Sequence, residues 1–359
     1  MKKRNFFLVI SSFLIGIILV EFFLILKYSD ISKRYKLSLN DKRFMLFSEG
    51  NVFSNIDRIF KYYPKQKIIS KTFYKINNTW KKEYEYEIIT NNFGLVQKDD
   101  IKENTPSILF LGDSFIEGQG SYSWVNKFNG RFENYQIING GIIGTGPQQF
   151  ELLEKHISNN FQVDKLLFFY IGDDLRRNIF NISNKTLSCL KNHTNCIGNE
   201  NFYGFPFTKK SPLEFLNFLD RYRQEQKDNT SFYSNTKFKV KKFFLELNTV
   251  KVVKNFVKQK FYVSKNEYIQ RNFRSIENLV KKYQNSIIFV QLTSKNEIIY
   301  GQEYDTFYAE QFIKQLTDKH FVCDFERDIQ NYYKIDMHPN NKGYESLFNC
   351  VKKILQSQL

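Results

Sequence analysis

Three strand-like stretches, each stopping at a glycine-bearing turn, constrain this chain more than any other feature. Ile108 to Leu111 ends in Gly112-Asp113-Ser114, and Asn134 to Asn139 ends in a turn that runs on to Gly144-Thr145-Gly146-Pro147. Val163 to Ile171 ends in Gly172-Asp173-Asp174-Leu175. A short continuous apolar run such as Ile108 to Leu111, or the almost unbroken one that ends at Ile171, reads as a strand buried on both faces, the kind that parallel sheets use. Helical patterns separate them. Trp124 to Phe132 reads as a short helix, and Phe150, Leu153 and Ile157 line one face of a second. Thr145 or Gly146 suits its cap and Pro147 its first turn. Strand, helix, strand, helix, strand predicts a βαβ series on a parallel sheet.

The series resumes near the end of the chain. Phe273, Ile276, Leu279, Val280 and Tyr283 make a helical face, followed by a buried strand from Ser286 to Leu292. Phe307, Tyr308, Phe312 and Leu316 give another helix, and His320 to Phe325 a last short strand. Tyr344, Leu347, Phe348, Val351, Ile354 and Leu355 form the closing helix. Between the halves, about 176–268 is a long, largely helical insertion. Its Val252, Val253, Phe256 and Val257 share a face decorated by Lys251, Lys254, Lys258 and Lys260. A helix packed on the core with a solvated basic face is the plainer reading, and an anionic membrane surface the alternative.

Ahead of the sheet, residues 29–105 read as a polar stalk and a small β-rich lead-in. The alternation in Lys67 to Tyr74 and in Tyr84 to Thr90 predicts hairpin strands. Residues 1–28 differ in kind. Lys2-Lys3-Arg4 precedes an apolar run from Phe6 to Leu26 broken only by small or hydroxyl residues and Glu21. That run can cross a bilayer, its basic flank stays on the cytoplasmic side, and no small-residue cleavage site follows. The expectation is an uncleaved single-pass anchor with residues 106–359 as an extracytoplasmic domain. The net charge of +16 comes from lysines scattered along the chain, not gathered in a nucleic-acid motif, so no nucleic-acid partner is expected. Cys189, Cys196, Cys323 and Cys350 suit an oxidising compartment. Four cysteines allow three pairings, of which nearest-neighbour pairing is the working choice. No metal-ligand spacing is present and no cofactor is implied.

In a parallel sheet the three turns face one edge, where α/β sheets bind ligands. Ser114 stands there, and a nucleophilic serine needs a base and a carboxylate to orient it. The only loop with matching chemistry is Asp336-Met337-His338-Pro339, just before the closing helix. On an extended loop, residues two apart project to the same side. His156, His193 and His320 have no carboxylate so placed.

With these blocks in this order, the chain resembles the SGNH (GDSL-like) hydrolases. The resemblance rests on Gly112-Asp113-Ser114, the glycine turn after Asn139, Gly172-Asp173-Asp174 and Asp336-x-His338-Pro339, and spans Ile108 to the C-terminus without the insertion. It implies a flavodoxin-like three-layer α/β/α sandwich with a mostly parallel sheet. Asn91-Asn92-Phe93-Gly94 ahead of the first strand is similar to the lead-in of a membrane-anchored bacterial branch associated with envelope polysaccharides. The resemblance further implies Ser114 as nucleophile, His338 as base, Asp336 as its orienter, and the backbone N–H groups of Ser114 and Gly144 as oxyanion donors. Asp113, Asp174 and Arg176 are candidates for substrate contact. Two departures stand out: Asp173 occupies the place of an oxyanion-binding asparagine, and Asp-x-His replaces the commoner Asp-x-x-His. An ionised Asp173 would repel an oxyanion unless it is protonated or turned toward Arg176 or Arg177.

The function so implied is a serine esterase at the outer side of a bacterial inner membrane, removing acyl groups such as acetyl from an envelope glycan. Two alternatives use the same frame. One is an O-acyltransferase that passes the Ser114-bound acyl group to a sugar, working with a multi-spanning membrane acyltransferase. The other is a non-catalytic glycan-binding or assembly protein, motivated by Asp173 and the insertion.

Overall fold

The run Ile108–Leu111 lies in the strand next to one edge of a five-stranded sheet in the computed structural model. The structure describes residues 11–12, 15–23, 43–48, 52–56, 59–76, 79–177, 213–214, 216–217, 267–324 and 328–359. Strands β6 (Ser107–Gly112), β7 (Gln136–Gly141), β8 (Val163–Tyr170), β9 (Ile287–Leu292) and β10 (His320–Cys323) are all parallel, in the spatial order β10-β9-β8-β6-β7. Counted along the chain, that is the 2-1-3-4-5 order of flavodoxin-like folds. Strand β6 lies between β7 and β8, at the point where the chain reverses its direction across the sheet.

Alternation along the strands sends side chains to two covered faces. On one face Ile108, Phe110, Leu167, Phe169 and Val290 join Trp124 and Phe128, which lie on a short 3-10 turn at Trp124–Phe128. The closing helix, Asn341–Gln358, adds Leu347, Phe348 and Val351 there. The opposite face meets helix Pro147–Ser158, where Phe150 packs on Phe168 at 5.4 Å, and helix Glu267–Tyr283 with Ile276 and Leu279 buried. Gly146 caps the first of these and Pro147 opens it. Helix Tyr304–Leu316 falls where the apolar pattern from Phe307 to Leu316 predicts one, and with the short, unanticipated helix Lys295–Tyr300 before it leads into β10. Cys323 and Cys350 form a disulfide that ties β10 to the closing helix.

The lead-in is antiparallel. Strand β4 (Lys67–Ile76) pairs with β1 (Arg43–Phe47) and with β5 (Thr79–Ile89), while β2 (Phe53–Ile56) and β3 (Ile59–Tyr62) form a separate hairpin. The β4–β5 register shifts between Thr72 and Phe73: Thr72 faces Tyr84 and Phe73 faces Lys82, leaving Glu83 as the extra residue of a bulge. The chain divides into two compact units, one of residues 1–40 with 213–265 and the other of 41–212 with 266–359. The lead-in and the parallel sheet thus belong to the same unit.

No helix among the described residues is long and apolar enough to cross a membrane. Of the expected anchor, 11–12 and 15–23 are described and helical, and the rest lies outside the described residues. So do most of the insertion, its basic amphipathic stretch, and Cys189 and Cys196.

Candidate active site

Strand β6 delivers Ser114 to the carboxyl edge of the sheet. Asp113 caps the four-residue helix Ser114–Glu117, its Oδ1 accepting from the Phe115 N–H at 2.9 Å. The turn is tight because it packs directly on β7. A Cβ on Gly141 would stand 2.2 Å from the Glu117 backbone nitrogen, so only glycine fits there. Gly118, at φ 91°, then ends the helix in the left-handed region.

The loop before the closing helix supplies the partners. Ser114 Oγ lies 2.8 Å from His338 Nε2, and His338 Nδ1 is hydrogen-bonded to Asp336 Oδ1. A ring nitrogen that donates to a carboxylate leaves the other free to accept, so Nε2 is the acceptor for the Ser114 hydroxyl. Asp113 Oδ2 lies 3.2 Å from the same hydroxyl and competes for its one proton. Arg177 donates to that Oδ2 at 2.9 Å and weakens the competitor. All three members are buried: Ser114 is 3% exposed, Asp336 1% and His338 8%.

The spacing Asp-x-His works by a different geometry from the extended one anticipated. Residues 334–338 are a run of bends. The His338 N–H donates to Asp336 Oδ1 at 3.0 Å, the oxygen that also receives the ring. Side chain and backbone close an Asx turn, and the turn aims the imidazole. Buried Lys295 fixes the loop by donating to the carbonyls of Tyr333, Lys334 and Asp336 at 2.7, 3.0 and 3.1 Å.

On the other side of Ser114 stands the turn after β7. Gly144 has φ 71°, a conformation that favours glycine. Its neighbours are pinned: the Ile143 N–H donates to Glu117 Oε2 at 2.7 Å, and Thr145 O accepts from Arg177 at 2.8 Å. Burial pushes the Glu117 carboxyl up to about 8, against the donors from Ile143 and Tyr62. A neutral acid thus braces the Gly144 turn across most of the physiological range.

The third turn adopts one of the arrangements left open for Asp173, turned toward the two arginines. Asp173 is the exposed member, with its carboxylate 2.8 Å from Arg176 and 3.5 Å from Arg177. Arg176 also meets Asp305 at 2.7 Å. Asp113 and Asp174, anticipated as substrate contacts, instead share Arg177 in a buried ion cluster. Arg177 Nη1 is 2.6 Å from Asp174 Oδ1, and Asp174 Oδ2 accepts from the Ile171 N–H at 3.0 Å. Burial and the Asp113 charge push Asp174 well above the usual carboxylate range, against the pull of Arg177. These carboxylates hold strand ends together because the sheet edge excludes water around them. Among the described residues no group of histidine, cysteine, aspartate and glutamate is placed to hold a metal ion.

Sequence reasoning missed Tyr74, Tyr84, Lys295, Glu117 and the structural use of Arg177. Tyr74 Oη and Tyr84 Oη donate to Asp336 Oδ2 at 2.6 and 2.8 Å. Buried aromatic residues on alternating strands read equally well as core, so no local signal marked these two.

A flavodoxin-ordered sheet with a serine, histidine and aspartate in hydrogen-bonded series at its switch point defines an α/β protein built like a nucleophilic enzyme. No family model and no curated protein matches the chain. Solved structures do. A member of the lipolytic G-D-S-L family from Veillonella parvula is 10% identical over 70% of this chain and 99% of its own, with a TM-score of 0.35. A lipase/acylhydrolase from Enterococcus faecalis is 11% identical over 71% and 96%, with a TM-score of 0.35. A GDSL-like lipase from Bacteroides thetaiotaomicron is 12% identical over 70% and 89%, with a TM-score of 0.31. At such scores these likenesses carry no argument of their own; the strand order and the distances do.

Proposed function

We propose that this chain is a serine ester hydrolase of the SGNH type that deacylates, and specifically deacetylates, a cell-envelope glycan. The observation that carries the chemistry is the 2.8 Å approach of Ser114 Oγ to a His338 ring that is itself held by Asp336. Ser114 Oγ attacks the ester carbonyl while its proton passes to His338 Nε2. The tetrahedral oxyanion is met by the backbone N–H groups of Ser114 and Gly144, donors typically worth about 3 kcal/mol each in such a transition state. Collapse expels the sugar alcohol with the proton from His338 and leaves an acyl-serine. Water, deprotonated by the same imidazole, then releases the carboxylic acid and regenerates Ser114.

The compartment reading rests on separate features. The basic flank and apolar run at Lys2 to Leu26 support a single-pass anchor with the enzyme outside the cytoplasm. The Cys323–Cys350 disulfide suits an oxidising space. The test uses the full chain in detergent with p-nitrophenyl acetate and an O-acetylated glycan. Expected are acetate release, fluorophosphonate labelling, and loss of both in Ser114→Ala. Acetyl appearing on an added sugar instead of in water would identify a transferase. Neither labelling nor turnover, together with intact cellular behaviour of Ser114→Ala and His338→Ala, would leave a binding protein.

A further inference from the structure

The antiparallel lead-in was expected to stand apart from the catalytic domain, yet it reaches the far side of Asp336 from two strands. Tyr74 on β4 and Tyr84 on β5 both donate to Asp336 Oδ2, at 2.6 and 2.8 Å, while Oδ1 takes His338. The direction of the Tyr84 bond is fixed by its other neighbour. Gln119 Nε2 donates to the Tyr84 hydroxyl at 2.9 Å, which leaves the single phenolic proton to point at Asp336. The β4–β5 bulge supports the same loop. Its extra residue, Glu83, accepts the Ile335 N–H at 2.9 Å, and the Tyr84 ring lies 4.5 Å from that of Tyr333. Bulges beside active sites commonly re-aim side chains in this way.

We infer that the lead-in sheet is part of the candidate catalytic centre, with Tyr74 and Tyr84 as positioning residues that hold the Asp336 carboxylate and set the basicity of His338. A buried carboxylate has lost its water and needs replacement donors to stay ionised. Two phenols supply them on the oxygen that the imidazole does not use. They also draw charge density away from Oδ1. The carboxylate therefore orients His338 without gripping its proton so tightly that the imidazolium cannot return it to the leaving alcohol. Removing the phenolic protons concentrates charge on Oδ1 and raises the proton affinity of His338.

The inference rests on the serine-hydrolase reading for its consequence in turnover, but not for its effect on His338. The experiment therefore reads both. Tyr74→Phe, Tyr84→Phe and the double variant are made in the full chain, and the histidine titration is followed by NMR with labelled histidine. The chain has four histidines, and His338→Gln identifies the resonance. Each single variant should raise the His338 pKa, and the double variant by about one unit, a tenfold change in proton affinity. The acid limb of kcat/KM for p-nitrophenyl acetate should move up by the same amount, so that turnover at pH values below the limb falls roughly tenfold. A tyrosine with only a packing role would lower stability and leave the titration in place. An unchanged His338 titration in the folded single variants overturns the inference, whether or not the double variant folds. A shifted titration in a protein that hydrolyses no ester upholds it and removes the hydrolase reading instead.

Discussion

Replacing Arg177 by methionine tests whether one buried cation holds the carboxyl edge of the sheet together. Its guanidinium meets Asp113 at 2.9 Å, Asp174 at 2.6 Å and the Thr145 carbonyl at 2.8 Å. At an effective dielectric constant near 20, each ion contact has a gross attraction of about 6 kcal/mol. Most of that is offset by desolvation, since the Asp113 and Asp174 side chains are 3% and 0% exposed. What remains is the cost of leaving carboxylates buried without a partner, about 3–5 kcal/mol. Against a typical total of about 5–15 kcal/mol the variant still folds. The loss should depend on pH in a defined direction. Asp174 is already displaced upward by burial and by Asp113, and without Arg177 it rises further. An acid whose folded pKa exceeds its unfolded one destabilises the fold as pH climbs from the unfolded value through the folded one. Arg177→Met should therefore lose little at pH 4 and the full amount at pH 8, and adding Asp174→Asn should recover part of the loss. Urea unfolding at both pH values measures this. A loss at pH 8 below about 1 kcal/mol, with an unchanged denaturant slope, would refute the reasoning.

Glu117 obeys the same sign rule from a different cause. With its carboxyl pushed up to about 8 by burial, wild-type stability should decline between about pH 4.5 and 8. Glu117→Gln, which keeps an acceptor for Ile143, should remove that decline and gain up to a few kcal/mol at pH 8 by urea unfolding. Cys323 and Cys350 close a 27-residue separation, so Cys323→Ser with Cys350→Ser should cost about 3.5 kcal/mol of loop entropy by denaturant midpoint. Asp173→Asn removes an exposed pair with Arg176. It should change stability by less than about 1 kcal/mol and keep or raise ester turnover; abolished turnover would assign the carboxylate a specific role.

The sheet was legible because strands buried on both faces leave a coarse record. Ile108 to Leu111 and Leu166 to Ile171 have no exposed side, so their apolar character is continuous and their glycine ends are sharp. The strand order was not written in these runs; only the resemblance to a flavodoxin-like family implied it. Helix Lys295–Tyr300 was not legible, because six residues span too few turns for an apolar period to show. Within the lead-in, the long strands β4 and β5 alternate and were anticipated. The pairing of β1 with β4 and the bulge at Glu83 depend on partners distant in sequence, which alternation cannot specify.

The candidate site divides along the same line. Ser114, His338 and Asp336 could be read because each side chain has a chemical role that few residue types can fill, in loops with no other reason to hold them. Asp113, Asp174 and Arg176 were misplaced for the converse reason. A charged residue beside a strand end looks available to a substrate until the fold shows its partner: Arg177 for Asp113 and Asp174, and Asp173 with Asp305 for Arg176. Tyr74 and Tyr84 fall between these cases. A tyrosine on the inner face of a strand reads as core, and both are buried. Only the hydroxyls, on the Asp336 oxygen opposite the imidazole, separate them from packing. The structure thus places the acid of a C-terminal loop under the control of an N-terminal sheet. A chain cut at the boundary between lead-in and parallel sheet would keep Ser114, His338 and Asp336 in sequence, and lose the donors that hold the carboxylate behind them.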